Sequence, residues 1–146
     1  MAGFLGSYSG TLDDKHRLHL PARLRQGTEQ TLDTCYLTLG FSGALFLFPK
    51  PEWRRVETKI ENFNFANPEA NFVIRILMAN TVELSPDRQH RITIPPELAS
   101  KVGMTKDVKI IGMVRRIELW APERFDEYVS GYGKTYDAVA AELFGQ

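Results

Sequence analysis

Asp13-Asp14-Lys15-His16-Arg17-Leu18-His19-Leu20-Pro21-Ala22-Arg23-Leu24 and Asp87-Arg88-Gln89-His90-Arg91-Ile92-Thr93-Ile94-Pro95-Pro96-Glu97-Leu98 are two versions of one twelve-residue segment. Five positions are identical and two more exchange Leu for Ile, where unrelated segments of this length share roughly one. The correspondence continues at an offset shorter by two residues. Gly40 matches Gly112, Leu45-Phe46-Leu47-Phe48 matches Ile117-Glu118-Leu119-Trp120, and Trp53 matches Phe125. The chain is therefore read as an internal duplication. Each half runs strand, charged turn, strand opening on Arg, short helix after proline, two further strands, and a helix with an aromatic anchor.

The alternation inside the repeated segment sets its faces. With a side-chain period of two, Leu18 and Leu20 point to a core while Arg17 and His19 point away, and Arg91-Ile92-Thr93-Ile94 repeats the pattern. Pro21 and Pro95 end the strand and suit the first position of a helix, where a missing N–H costs nothing. Helices are predicted over 22–26 and 96–102, the second stopped by Gly103. Residues 36–40 with 44–49, and 108–112 with 116–120, read as hairpins. Only the first has strong turn residues, Ser42-Gly43, against Val114-Arg115 in the second. Helices are further predicted over 52–62, 68–80, 121–131 and 134–144. Phe72, Ile76 and Ala79 lie at helical spacing in the second of these, which is expected to help pack the halves together. Tyr136, Val139, Ala140 and Leu143 form a stripe in the last. The implied organisation is a first repeat over 6–53, a helical linker over 54–78, a second repeat over 79–125 and a C-terminal helical segment over 126–146. The class is α+β, mainly β with short helices.

Composition narrows the function classes. With 43% apolar and 25% charged residues, the chain can bury a full core. Its apolar runs are too short to span a bilayer, and its start lacks a signal-peptide pattern, so a cytoplasmic protein is expected. One cysteine, Cys35, forms neither an internal disulfide nor a thiolate metal cage. Net charge is zero, from 18 basic and 18 acidic side chains, so any nucleic-acid site must be local. Residues 15–25 supply Lys15, Arg17, Arg23 and Arg25 with His16 and His19 and no acid. Acids gather in the segments 52–61 and 118–127, both expected to be helical.

Each duplicated turn sets a carboxylate four residues before an arginine, Asp13 with Arg17 and Asp87 with Arg91. Two readings stay open on the residues alone. In one, both groups only brace the turn. In the other, the Asp braces while the Arg, with Lys15 or Arg88, faces a phosphate or a guanine edge. Enzyme chemistry finds no footing. His16 and His19 lack a third ligand for a metal, Cys35 precedes a strand, and no phosphate loop, nucleophile elbow or HExxH motif occurs. No cofactor, metal, catalytic residue or small-molecule substrate is expected.

The Gly6-Ser7-Tyr8 start, the segment Leu12-Asp13-x-Lys15-x-Arg17-Leu18-x-Leu20-Pro21, its repeat Asp87-x-x-x-Arg91-Ile92-x-Ile94-Pro95, and the aromatic-ended strand before each late helix resemble the MraZ family of bacterial transcriptional regulators. The resemblance covers residues 6 to 128. It implies a SpoVT/AbrB-like swapped-hairpin fold, with duplicated βαββ halves interlocked into one barrel-like unit. It also implies homo-oligomeric rings, of octamer size or larger, that bind G-rich direct repeats in double-stranded promoter DNA of the division and cell-wall gene cluster, at the nucleoid. Carried onto this chain, Arg17 and Arg91 become the leading DNA contacts and Lys15 an auxiliary one. Arg88, His16 and His90 add to the same surface, and Asp13 and Asp87 hold the turns. The family usually has glycine where this chain has His16 and His90, a position where glycine permits positive φ. Two rival readings are an antitoxin-like module of the same fold and a non-enzymatic ring or scaffold binding anions or other subunits.

Overall fold

Period-two segments become strands and 3.6-period segments become helices in the computed structural model, which describes residues 3–26 and 31–145. The first half comprises β1 (Phe4–Thr11), β2 (Arg17–His19), α1 (Ala22–Gln26), β3 (Cys35–Leu39), β4 (Leu45–Pro49), α2 (Lys50–Glu61) and α3 (Pro68–Ala79). The second repeats that order as β5 (Thr81–Leu84), β6 (Arg91–Thr93), α4 (Pro96–Lys101), β7 (Asp107–Val114), β8 (Ile117–Trp120), α5 (Pro122–Ser130) and α6 (Tyr136–Phe144). Each half is thus the expected βαββ unit preceded by one more strand. Pro21 and Pro95 sit one position earlier than expected, just outside their helices.

That extra strand is what interlocks the halves. The main sheet has the order β1-β7-β8-β4-β3-β5, and β2 pairs with β6 in a separate two-stranded ribbon. Exchanging each strand for its counterpart in the other half (β1 with β5, β3 with β7, β4 with β8) returns the same order reversed. The first strand of one half therefore lies along the hairpin of the other, β1 on β7. The pseudo-two-fold axis passes through the cross-strand pairs Phe46–Glu118 in the sheet and Leu18–Ile92 in the ribbon. The architecture is α+β, with an antiparallel sheet and short helices, in keeping with a duplicated AbrB-like fold.

The core fills the space between sheet and ribbon. Leu18, Leu20, Ile92 and Ile94 from the ribbon meet Leu37, Leu45, Leu47, Ile110, Ile117 and Leu119 from the sheet, with Leu24 of α1 and Leu98 of α4 closing the sides. Burying one such side chain contributes about 1.5–3 kcal/mol, so the alternation read from the sequence fixes which way the ribbon faces. On the sheet's outer side, Ala44, Phe46 and Trp120 form a second cluster with Phe125 of α5 against it. Trp53 of α2 is buried there too, stacked on Tyr36 at 5.4 Å. Both expected aromatic anchors thus hold their helices.

Two expectations are corrected. The acid grouping over 118–127 is helical only from Pro122, and Glu118 lies on β8, in the hairpin strand expected over 116–120, where it is buried. Its Oε1 accepts from Trp120 Nε1 at 2.9 Å and its Oε2 from Arg116 Nη2 at 2.8 Å, which meets the cost of burying a charge. Secondly, α3 does not pack the halves together. It carries no buried residue and leaves Phe72, Val73 and Ile76 exposed. Asn67 caps it, its Oδ1 accepting from Glu69 N and Ala70 N; Ile74 and Leu77 are half-buried, and the flank carrying Phe72, Val73 and Ile76 is left to solvent.

Candidate nucleic-acid interface

The two repeated turns end on the ribbon. In the first, His16 N donates to the Asp13 carbonyl at 3.0 Å and Asp13 N donates to the Arg17 carbonyl at 3.1 Å. His16 stands at φ 60, in the left-handed region. The second turn matches, with His90 N to the Asp87 carbonyl at 2.9 Å, Asp87 N to the Arg91 carbonyl at 2.9 Å, and His90 at φ 60. Glycine is the usual occupant of such a conformation, and His is among the better tolerated alternatives. The reversal directs each histidine's backbone towards the other half. The His16 carbonyl accepts from Ile94 N at 2.8 Å and the His90 carbonyl from Leu20 N at 2.9 Å.

Each aspartate closes its turn with three bonds. Asp13 Oδ1 accepts from Lys15 N at 2.9 Å and Arg17 N at 2.8 Å, while Oδ2 accepts from Arg17 Nε at 2.7 Å. Asp87 Oδ1 likewise accepts from Gln89 N and Arg91 N, both at 2.9 Å, and Oδ2 from Arg91 Nε at 2.8 Å. The Arg17 backbone N–H and then its guanidinium hold the Asp13 carboxyl well below its ordinary range, at about 2. Asp87 is lowered by the equivalent bonds from Arg91. Hydrogen bonds to the charged form favour it, so both turns keep their carboxylates ionised across ordinary pH.

Only the Nε side of each guanidinium is engaged by these bonds. The two Nη groups, the pair that can form a bidentate fork, take no part in these bonds. The antiparallel register sets Arg17 opposite Thr93 and His19 opposite Arg91. With Leu18 and Ile92 turned inward, all four of these side chains share the outer face. Arg17 and Arg91 are then diagonal neighbours, about 7–8 Å apart at Cα.

The expected site residues therefore do not gather in one cluster. Arg17 and Arg91 flank the ribbon's central Leu18–Ile92 pair on one face. Lys15 with His16 and Arg88 with His90 mark the ribbon's two opposite ends, and Lys15 and Arg88 are exposed. Lys15 corresponds to Gln89, and Arg88 to Asp14, so the basic groups at the tips are offset and not matched. Arg25 turns inward, its Nε donating to the Leu20 carbonyl at 3.1 Å. His19 and Thr93, exposed on the same face as the arginines, were not among the expected site residues. The signal for them was present in the alternation that places them beside Arg17 and Arg91.

A strand-exchanged, duplicated AbrB-like fold, presenting two aspartate-held arginines on one ribbon face, defines a class of pseudo-dimeric β proteins built from a single chain. A family model described as "MraZ protein, putative antitoxin-like" matches the chain twice, over residues 4–76 and 77–144. The transcriptional regulator MraZ of Carboxydothermus hydrogenoformans is 34% identical over 140 residues, 96% of each chain. Those of Heliobacterium modesticaldum and Oenococcus oeni are 36% identical over the same length and share. The chain belongs to the MraZ family, whose members bear the name of transcriptional regulators and not of enzymes. Among the described residues, no helix is long and apolar enough to cross a membrane.

Proposed function

We propose that the chain is a sequence-specific DNA-binding regulator that occupies direct repeats in the promoter of the division and cell-wall gene cluster, working at the nucleoid as a homo-oligomeric ring. The observation that carries this reading is the pair of guanidiniums on one exposed ribbon face, each tethered at Nε with its Nη groups unengaged by the aspartate. A two-stranded ribbon fits the major groove, and an Arg fork donating to guanine O6 and N7 is a strong source of base discrimination there. The diagonal spacing of about 7–8 Å is close to two base steps at about 3.4 Å each. Lys15, Arg88, His16 and His90 at the ribbon ends are placed for phosphates, which position the protein without reading sequence.

One chain offers few cations, and a ring multiplies them through effective concentration. The apolar faces left open on the described surface favour assembly. They comprise Phe72, Val73 and Ile76 on α3, and a groove of about 300 Å³ between α5 and α6 lined by Tyr128, Tyr132, Val139 and Leu143. Such faces mark association sites more often than bare solvent surface.

The test is a binding titration with the DNA upstream of this chain's own gene against a scrambled duplex of equal length and composition. A clear preference for the promoter is expected. Equal binding to both would sink the regulator and favour an anion-binding scaffold.

A further inference from the structure

We propose that His19 and Thr93 set the direction in which the ribbon lies on DNA, an inference that rests on the DNA-reading function above. The ribbon has pseudo-two-fold symmetry about the Leu18–Ile92 pair. Rotation by half a turn exchanges Arg17 with Arg91, Asp13 with Asp87 and His16 with His90. The hydrogen bonds of the two turns match within a few tenths of an ångström, both histidines stand at φ 60, and the two arginines are similarly part-buried, at 29% and 27%. A reader made of these groups alone would bind a site equally well in both directions, and it would match inverted symmetry in the DNA as two-fold proteins do. Direct repeats have one direction, so the chain needs a difference between its halves that reaches the bases.

The halves differ on the ribbon's outer face at one pair of equivalent positions, His19 and Thr93. Both are exposed, and each stands directly across from an arginine, His19 from Arg91 and Thr93 from Arg17. Their chemistry is unlike. The imidazole offers ring nitrogens to a purine edge, whereas threonine offers a hydroxyl together with a methyl that suits the thymine C5-methyl. One end of the face is therefore Arg with Thr and the other is Arg with His. The remaining differences, Asp14 against Arg88 and Lys15 against Gln89, lie at the turn tips, where phosphate contacts alter affinity without carrying sequence.

Direction is read by attaching an iron chelate at an Asp14→Cys substitution and mapping cleavage around a single footprinted repeat from the promoter. Cys35 does not compete for the label, because it is fully buried and its thiol is pushed up to about 12 by burial. The parent should cleave one side of the repeat roughly tenfold more strongly than the other, as expected for the difference of one base contact. The exchange His19→Thr with Thr93→His should move cleavage to the opposite side. His19→Thr alone, which makes the face symmetric, should give cleavage on both sides. Thermal melting checks that these exposed exchanges leave the fold intact. One-sided cleavage that stays on the same side after the exchange, or two-sided cleavage by a parent that still prefers promoter to scrambled DNA, overturns the inference and leaves the regulator reading standing. A parent without promoter preference removes both.

Discussion

In the proposed function Arg17 has two duties, and they separate by atom. Its Nε and backbone N–H serve Asp13, and its Nη groups take no part in those bonds. The ion pair is about a third exposed on each side, and such pairs contribute little to folding. Arg17→Ala should therefore weaken promoter binding roughly tenfold to a hundredfold while lowering the melting temperature by no more than about 3 °C. Arg91→Ala should do the same to a lesser degree, since residues 15–25 around Arg17 carry more basic groups than the matching stretch around Arg91. A variant that melts far earlier yet binds normally would assign the arginine to bracing alone. Asp13 carries its own signature. Because its folded value is lowered to about 2 from an ordinary 3.8, its contribution is complete above the ordinary value and is lost as pH falls towards the folded one. Urea midpoints of the parent and of Asp13→Asn should differ at about pH 5 and converge towards about pH 2. A constant gap would mean that the carboxylate's charge plays no part.

The turns show what an element inherits from its place in the fold and not from its residues. Ser42-Gly43 reads as a turn in the sequence and Val114-Arg115 does not, yet Ser42 and Val114 both stand at φ 66. Tertiary pairing of β7 with β8 forces Val114 into a conformation that a β-branched residue resists, at about 1–3 kcal/mol. Val114 is 59% exposed, so its side chain returns little by burial. Val114→Gly should therefore raise stability by about 1 kcal/mol after glycine's own entropic loss, or about 2–4 °C in melting temperature. A lower midpoint would show that valine is relaxed there. The strands were legible because a half-buried strand writes period two into its residues, as Arg17-Leu18-His19-Leu20 does. α3 was legible as a helix, since Phe72, Ile76 and Ala79 recur at helical spacing and mark a face. What that face touches was not legible, because an apolar stripe is the same whether its partner lies in the chain or outside it. The Asp-x-x-x-Arg spacing announced the turn, but the placing of Arg17 and Arg91 on one face needed the cross-half register of β2 on β6.

At the scale of the molecule, duplication has placed two equivalent turns on one ribbon and two sets of helices, α2–α3 and α5–α6, at equivalent positions of the two halves. If copies join through these faces, neighbouring ribbons are presented in succession, and each further repeat of DNA is bound at high effective concentration. Light scattering should then give a particle several times the mass of one chain. Phe72→Ser with Ile76→Ser should reduce it, with little change in melting temperature, because neither residue is buried within the chain. A promoter with several direct repeats should bind far more tightly than a single repeat. Inserting half a helical turn, about 5 bp, between repeats should remove most of that gain by rotating alternate sites away from the protein. The Phe72/Ile76 variant should bind a single repeat as the parent does and gain nothing from additional ones, which separates assembly from reading. A parent that is monomeric, or whose affinity ignores repeat number and phase, would leave a local binder in which the exposed α3 face has some other purpose.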